Sequence, residues 1–249
     1  STLPAFPSSE SEALASERMG WDMGRTFGLM RSYGYGAARG LRNLSLAIGV
    51  FSSAAYAETV TIAALGDSLT AGYGLPRADG FVPQLQNWLD AQDADVVVLN
   101  AGVSGDTTAG GLSRVDWTLT PDVDAMIVTL GGNDYLRGLD PAVSRKNLDG
   151  ILAKAAAAQV EALLVGITAG ANYGADYKQD FDGMYVDLAA TYDVPLYPTF
   201  FAGLLTAAGT QDGVAAYMQA DGIHPNAEGV AAIVAAIGPS VMALAQSAR

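Results

Sequence analysis

From Val60 onward, short and nearly unbroken apolar runs alternate with longer segments of helical period. Val60–Leu65, Val96–Leu99, Ala125–Leu130 and Ala162–Ile167 have strand length, and a weaker run lies at Pro195–Tyr197. Runs of this kind suit parallel strands covered on both faces. The intervening Val82–Ala91, Thr107–Val115, Pro141–Gln159, Gln179–Tyr192 and Asn226–Ala245 read as helices, with Asp140 a natural cap before Pro141 at a first-turn position. Repeated strand–helix–strand units take right-handed crossovers, which predicts an α/β fold with helices on both faces of one parallel sheet. Such sheets place ligands beyond the carboxyl ends of their strands. Any chemistry is therefore expected just after the apolar runs.

Polar, glycine-punctuated turns stand there. The first run ends in Gly66-Asp67-Ser68-Leu69 and the second in Asn100-Ala101-Gly102-Val103-Ser104-Gly105-Asp106. The third ends in Gly131-Gly132-Asn133-Asp134, and Asp221-Gly222-Ile223-His224-Pro225 precedes the last helix. His224 is the only histidine of the chain, so any imidazole chemistry must run through it. Asp221 lies three residues before it across a turn. That spacing lets a carboxylate hold Nδ1–H and leave Nε2 free to take a proton from a serine hydroxyl. The backbone N–H groups of Ser68 and Gly105 and the side-chain amide of Asn133 are donors of the type that stabilises an oxyanion. Each residue also has an ordinary structural reading. A serine at a helix start is commonly its cap, Asp before Gly a turn residue, Gly105 a positive-φ glycine and Asn133 a turn amide. What favours chemistry is that all of them fall at strand ends.

Composition narrows the alternatives. There is no cysteine, which excludes disulfides, thiolate catalysis and cysteine-ligated zinc. A single histidine and no H-x-x-E-H pattern speak against a catalytic metal, and no cofactor is implied. No Gly-Lys-Ser/Thr follows "AGYG", so a phosphate-cradling loop is not indicated. A net charge of −13 argues against nucleic acid and against docking on anionic bilayers. Residues 1–57 differ in character. Arg39 and Arg42, the apolar Leu44–Phe51 and the small residues ending at Ala57 follow the order of a secretory signal peptide. Cleavage is expected after Ala57 and Met30 is the expected translation start, giving an exported, periplasmic or secreted domain at 58–249. No stable membrane anchor is expected.

The blocks "GDSLTAGYG", "NAGVSGDTTAGGLSR", "GGNDYLRG" and "DGIHPNAEG" resemble the four blocks of the SGNH, or GDSL-type, hydrolases, nearest the bacterial thioesterase I, lysophospholipase and arylesterase group. The resemblance extends over nearly all of Thr59–Ala245. It implies a flavodoxin-like three-layer α/β/α sandwich of about five parallel strands. It further implies Ser68 as nucleophile, His224 as base, Asp221 as its orienting acid, and an oxyanion hole from Ser68, Gly105 and Asn133. G-x-S-x-G is absent, since Thr70 stands two residues after Ser68, so the strained elbow of the α/β-hydrolases is not indicated. Asp67 and Asp134 read first as carboxylates bracing their loops, and Asp106-Thr107 as a helix cap and its neighbour. Tyr73, Leu75, Tyr135, Leu136 and Leu139 lie near the reactive turns and are candidates to line an acyl pocket, with ordinary packing the alternative for each.

The expected function is hydrolysis of a small acyl ester, thioester or lipid-like substrate through an acyl-enzyme. Two rivals are a carbohydrate O-deacetylase of the same superfamily and a non-catalytic ligand-binding protein on the same fold.

Overall fold

The computed structural model describes residues 59–249, so the expected signal peptide and the boundary at residue 57 lie outside the described residues. In chain order the elements are β1 (Val60–Gly66), α1 (Ser68–Ala71), α2 (Phe81–Asp90), β2 (Val96–Gly102), α3 (Thr108–Thr118), β3 (Ala125–Thr129) and α4 (Gly132–Leu136). They continue with α5 (Pro141–Ala157), β4 (Glu161–Val165), α6 (Ala175–Tyr192), β5 (Leu196–Tyr197), α7 (Ala202–Ala208) and α8 (Ala227–Ser247). All strands are parallel, in the order β2-β1-β3-β4-β5. Helices α3, α5 and α6 lie side by side on one face, and α2, α7 and α8 on the other. This is the three-layer α/β/α sandwich expected from the alternation of runs. The order reverses between β1 and β3, and at such a switch point the loops leaving the two strands part to opposite faces and open a crevice.

The central strands are apolar because both faces are covered. Ile62, Leu65, Met126, Ile127, Leu163 and Leu164 are all essentially inaccessible. Helix α8 supplies much of one cover, burying Val230, Ile233, Val234, Ile237, Val241 and Leu244. At about 1.5–3 kcal/mol for each fully buried aliphatic, that one stripe is a large part of what holds the layer down. Its length and hydropathy would let it cross a membrane, but its apolar stripe is spent on α2, α7 and the sheet.

One strand departs from expectation. The sequence predicts β2 covered on both faces, yet Val97 and Leu99 are exposed while Val96 and Val98 are buried. As the outermost strand, β2 takes its helix cover, among the described residues, mainly from α2 and α1. Its free edge is partly blocked by Gln86 of α2, whose side-chain amide donates to Val96 O (2.8 Å) and accepts from Val98 N (2.8 Å). One side chain thus occupies the ladder positions that an added strand would seek.

The carboxyl edge is tightly built. The end of β2 approaches the α1 backbone so closely that a Cβ on Gly102 would lie 2.4 Å from Ala71 N. A glycine there lets the turn after β1 start its helix directly on the sheet.

Candidate active site

The turn after β1 separates two roles that the sequence alone leaves joined. Asp67, not Ser68, caps α1: its Oδ1 accepts from Leu69 N at 3.0 Å. Ser68 is the first helical residue, and its hydroxyl is free to face the loop before α8, where His224 Nε2 lies 2.8 Å from Oγ. The capping reading of Ser68 is thereby corrected. With Asp67 as the cap the helix starts one residue earlier, and the carboxylate makes a charge-assisted bond in place of a hydroxyl's.

His224 is held from its other side. Its Nδ1 is 2.6 Å from Asp221 Oδ2, while Asp221 Oδ1 accepts from the backbone N–H groups of Ile223 (2.9 Å) and His224 (3.0 Å). The His224 backbone bond, the imidazole and the Ile223 N–H together lower the Asp221 carboxyl to about 2. The loop is pinned by Gln219, whose N–H donates to His224 O (2.8 Å) and whose side chain donates to Pro225 O (2.9 Å) and Tyr73 O (2.8 Å). The Tyr73 ring packs on the imidazole with centroids 4.7 Å apart. Ser68, His224 and Asp221 therefore form a continuous hydrogen-bonded line of the kind that moves a proton off a hydroxyl.

The expected oxyanion donors come from the turns after β1, β2 and β3. Among the described residues, the Ser68 and Gly105 N–H groups donate to no protein acceptor. Asn133 Nδ2 donates to Asp106 O (2.9 Å) and, at a longer 3.2 Å, to Asp67 Oδ2. Asp67 is almost wholly buried, and burial pushes its carboxyl up to about 6 against the lowering effect of the Leu69 N–H and the Asn133 amide. Asp134 is fully buried and accepts from Thr108 N (2.8 Å), Thr108 Oγ1 (2.6 Å) and Ser144 Oγ (2.9 Å), so it ties the turn after β3 to α3 and α5. Thr107 caps α3, and Asp106 instead pairs with Arg114 at 2.6 Å.

A cavity of about 190 Å³ opens beside Ser68 and His224. Tyr135 and Leu136 line it, with Leu69, Ile167, Phe201 and Ile223. Tyr73 lies over His224, outside the cavity wall. Leu75 faces a separate groove with Val82 and Val98, because the chain turns away through Gly72 and Gly74, both at positive φ. Leu139 is half-buried and not part of the wall, its N–H donating back to Asp134 O at 2.9 Å. Sequence reasoning missed Ile167 and Phe201, which follow β4 and β5 at positions where any apolar residue would serve. Ile223 stood inside "DGIHP" and was legible there. Among the described residues, no three His, Asp or Glu side chains gather as a metal ion would need.

A three-layer sandwich carrying a serine–histidine–aspartate line at its switch point defines the protein as a hydrolase of the doubly wound α/β class. More narrowly, the chain belongs to the GDSL-like lipase/acylhydrolase family, whose model matches residues 64–232. It is 40% identical over 181 residues to Esterase TesA of Pseudomonas aeruginosa, covering 72% of this chain and 86% of that protein. It is likewise 40% identical over 174 residues to thioesterase 1/protease 1/lysophospholipase L1 of Escherichia coli K12, covering 70% of this chain and 78% of that one. Among solved structures, the SGNH-hydrolase family esterase AlinE4 superposes with a TM-score of 0.60 at 43% identity, covering 74% of this chain and 95% of that one.

Proposed function

We propose that the protein hydrolyses carboxylic esters or thioesters through an acyl-enzyme on Ser68. The observation that carries this reading is the unbroken line Ser68 Oγ–His224 Nε2–Nδ1–Asp221 Oδ2, at 2.8 and 2.6 Å. As Ser68 Oγ attacks the acyl carbonyl, its proton passes to His224 Nε2. Asp221 holds the tautomer and stabilises the imidazolium, its own low pKa keeping it ionised throughout. The carbonyl oxygen, now negative, accepts from the backbone N–H groups of Ser68 and Gly105. Asn133 adds a third donor by exchanging its longer, weaker bond to Asp67 for the oxyanion. Collapse expels the alcohol or thiol, which takes the proton from His224. Water then repeats the sequence on the acyl-Ser68 ester, deprotonated by the same imidazole, and releases the acid.

The cavity walls of Leu69, Tyr135, Leu136, Ile167, Phe201 and Ile223 are apolar and favour an acyl chain over a sugar. The cavity holds about 190 Å³ and is partly open to solvent, which leaves room for an acyl chain beside Ser68. The relatives named esterase and thioesterase support both leaving groups. Arg39–Ala57 supports export to the periplasm or medium, which N-terminal sequencing of the exported protein tests, with Glu58 expected first.

Ser68→Ala, assayed on a series of p-nitrophenyl esters of increasing chain length and on an acetylated sugar, tests the whole reading. Wild type should favour acyl esters over the sugar, and the variant should lose turnover on every substrate while keeping its melting temperature. Retained turnover in the variant would overturn the proposal, and preference for the sugar would move it to the deacetylase reading.

A further inference from the structure

Arg114 of α3 reaches to the carboxyl edge of the sheet and uses its guanidinium three ways. Nε donates to Asp106 Oδ2 at 2.6 Å, Nη1 to Ala101 O at 2.7 Å, and Nη2 to Gly66 O at 2.8 Å. Gly66 ends β1 two residues before Ser68, and Ala101 lies at the end of β2, four residues before Gly105. Asp106 follows Gly105 directly, and its carbonyl is the nearer acceptor of the Asn133 amide at 2.9 Å. One cation therefore touches the backbone just before the Ser68 donor, the strand end leading to the Gly105 donor, and the residue that anchors the Asn133 donor. Both partners of the ion pair are largely shielded, with side chains 23% and 19% exposed, so these charge-assisted bonds are little screened by water. Gly110 makes room for the arrangement: a Cβ there would lie 2.5 Å from Asp106 Oδ1.

We infer that Arg114 is a positioning residue for the oxyanion hole, fixing the relative placement of its three donors, which come from three different loops. The inference rests on the reading of Ser68, Gly105 and Asn133 as those donors. Only a planar fork serves the purpose. The three acceptors lie on different sides of one side chain, and a lysine ammonium on a flexible stem cannot reach all of them at once. Positioning errors near 1 Å in an active site cost about 100-fold in rate. Loss of the fork should therefore act on kcat far more than on KM.

The test measures Arg114→Lys, Arg114→Met and Asp106→Asn, alone and combined with Asn133→Ala, for kcat and KM on p-nitrophenyl butyrate and for melting temperature. Asn133→Ala alone checks the underlying reading. Full activity there refutes the oxyanion assignment itself. With that assignment standing, Arg114→Lys should lower kcat about 10- to 100-fold with KM within about twofold, and Arg114→Met at least as much. Asp106→Asn, which keeps the Asp106 carbonyl and removes only the charge, should lower kcat less than Arg114→Met. In the Asn133→Ala background the further loss from Arg114→Lys should be smaller than in wild type, because one of the three donors that Arg114 positions is already gone. Multiplicative losses, a rise in KM with kcat unchanged, or failure of all three single variants to fold would overturn the inference and leave Arg114 a purely structural bolt.

Discussion

Replacing Asp67 by Asn should make the protein relatively more stable as pH rises, and the size of the effect follows from burial. The Asp67 carboxyl is about 2% exposed and titrates near 6 in the fold, against an ordinary value of 3.8. A carboxyl with a raised folded pKa lends its stability below the unfolded pKa, and that stability is lost as pH rises through the folded value. The window is therefore about 3.8 to 6. At about 1.4 kcal/mol per pH unit, ionised Asp67 costs the fold about 3 kcal/mol above the window. About 2 kcal/mol of that accrues between about pH 4 and pH 8, since titration has already begun at the lower end. Asn is an equally good helix cap and keeps an acceptor for Leu69 N, while its exchange with Asn133 forfeits about 1 kcal/mol at every pH. Urea unfolding of both proteins from about pH 4 to pH 8 should show the variant slightly weaker at the acid end and stronger at the alkaline end, with a crossing between. For a folded unit of this size the two melting temperatures should change their separation by about 4–8 °C over the same span. Parallel curves would refute the reasoning, because they would mean that Asp67 is not held near 6 by burial. Activity should fall nonetheless, since Asn133 loses one of the two acceptors that orient it.

Further outcomes follow from the same geometry. Asn133→Ala should reduce kcat by about 100- to 1,000-fold with KM little changed, measured under saturating ester. Asp221 titrates near 2, so the stability it lends is present above about 3.8 and disappears as pH falls toward 2; unfolding curves of Asp221→Asn and wild type should diverge in pH dependence only below about pH 4. Gly131 sits at φ +120° with Tyr185 Oη 2.1 Å from where a Cβ would be, and that hydroxyl donates to Leu130 O. Gly131→Ala should therefore cost about 3 kcal/mol in backbone strain and displaced packing, read as a melting temperature lower by about 6–12 °C.

The strands were legible because parallel strands covered on both faces must be apolar throughout, and Val60, Ala125 and Pro195–Tyr197 each marked a strand to within a residue or two at its start. The edge position of β2 was not legible. Val97 and Leu99 are as apolar as their buried neighbours, and only the strand order exposes them. Helices α4 and α7, at five and seven residues, are too short to show a period. Ser68, Asp221 and His224 stood out because chemistry restricts their residue types, and Gly105 and Asn133 because they fall after strands. The cavity wall resisted prediction for the opposite reason. Any apolar residue serves there, so Ile167 and Phe201 carry no mark, while Leu75 is close in sequence and turned away in space. Arg114 was hidden too, since nothing in "GLSR" says that a helix would aim it back at three strand-end acceptors.

The central claim, that Ser68 is the acylated nucleophile, is tested most directly by treating the protein with a fluorophosphonate and mapping the adduct by peptide mass spectrometry. One adduct on Ser68, forming in step with loss of esterase activity and absent from a folded Ser68→Ala variant, is the predicted result. Modification of a different residue, or an unmodified Ser68 in protein that the reagent has inactivated, would contradict it.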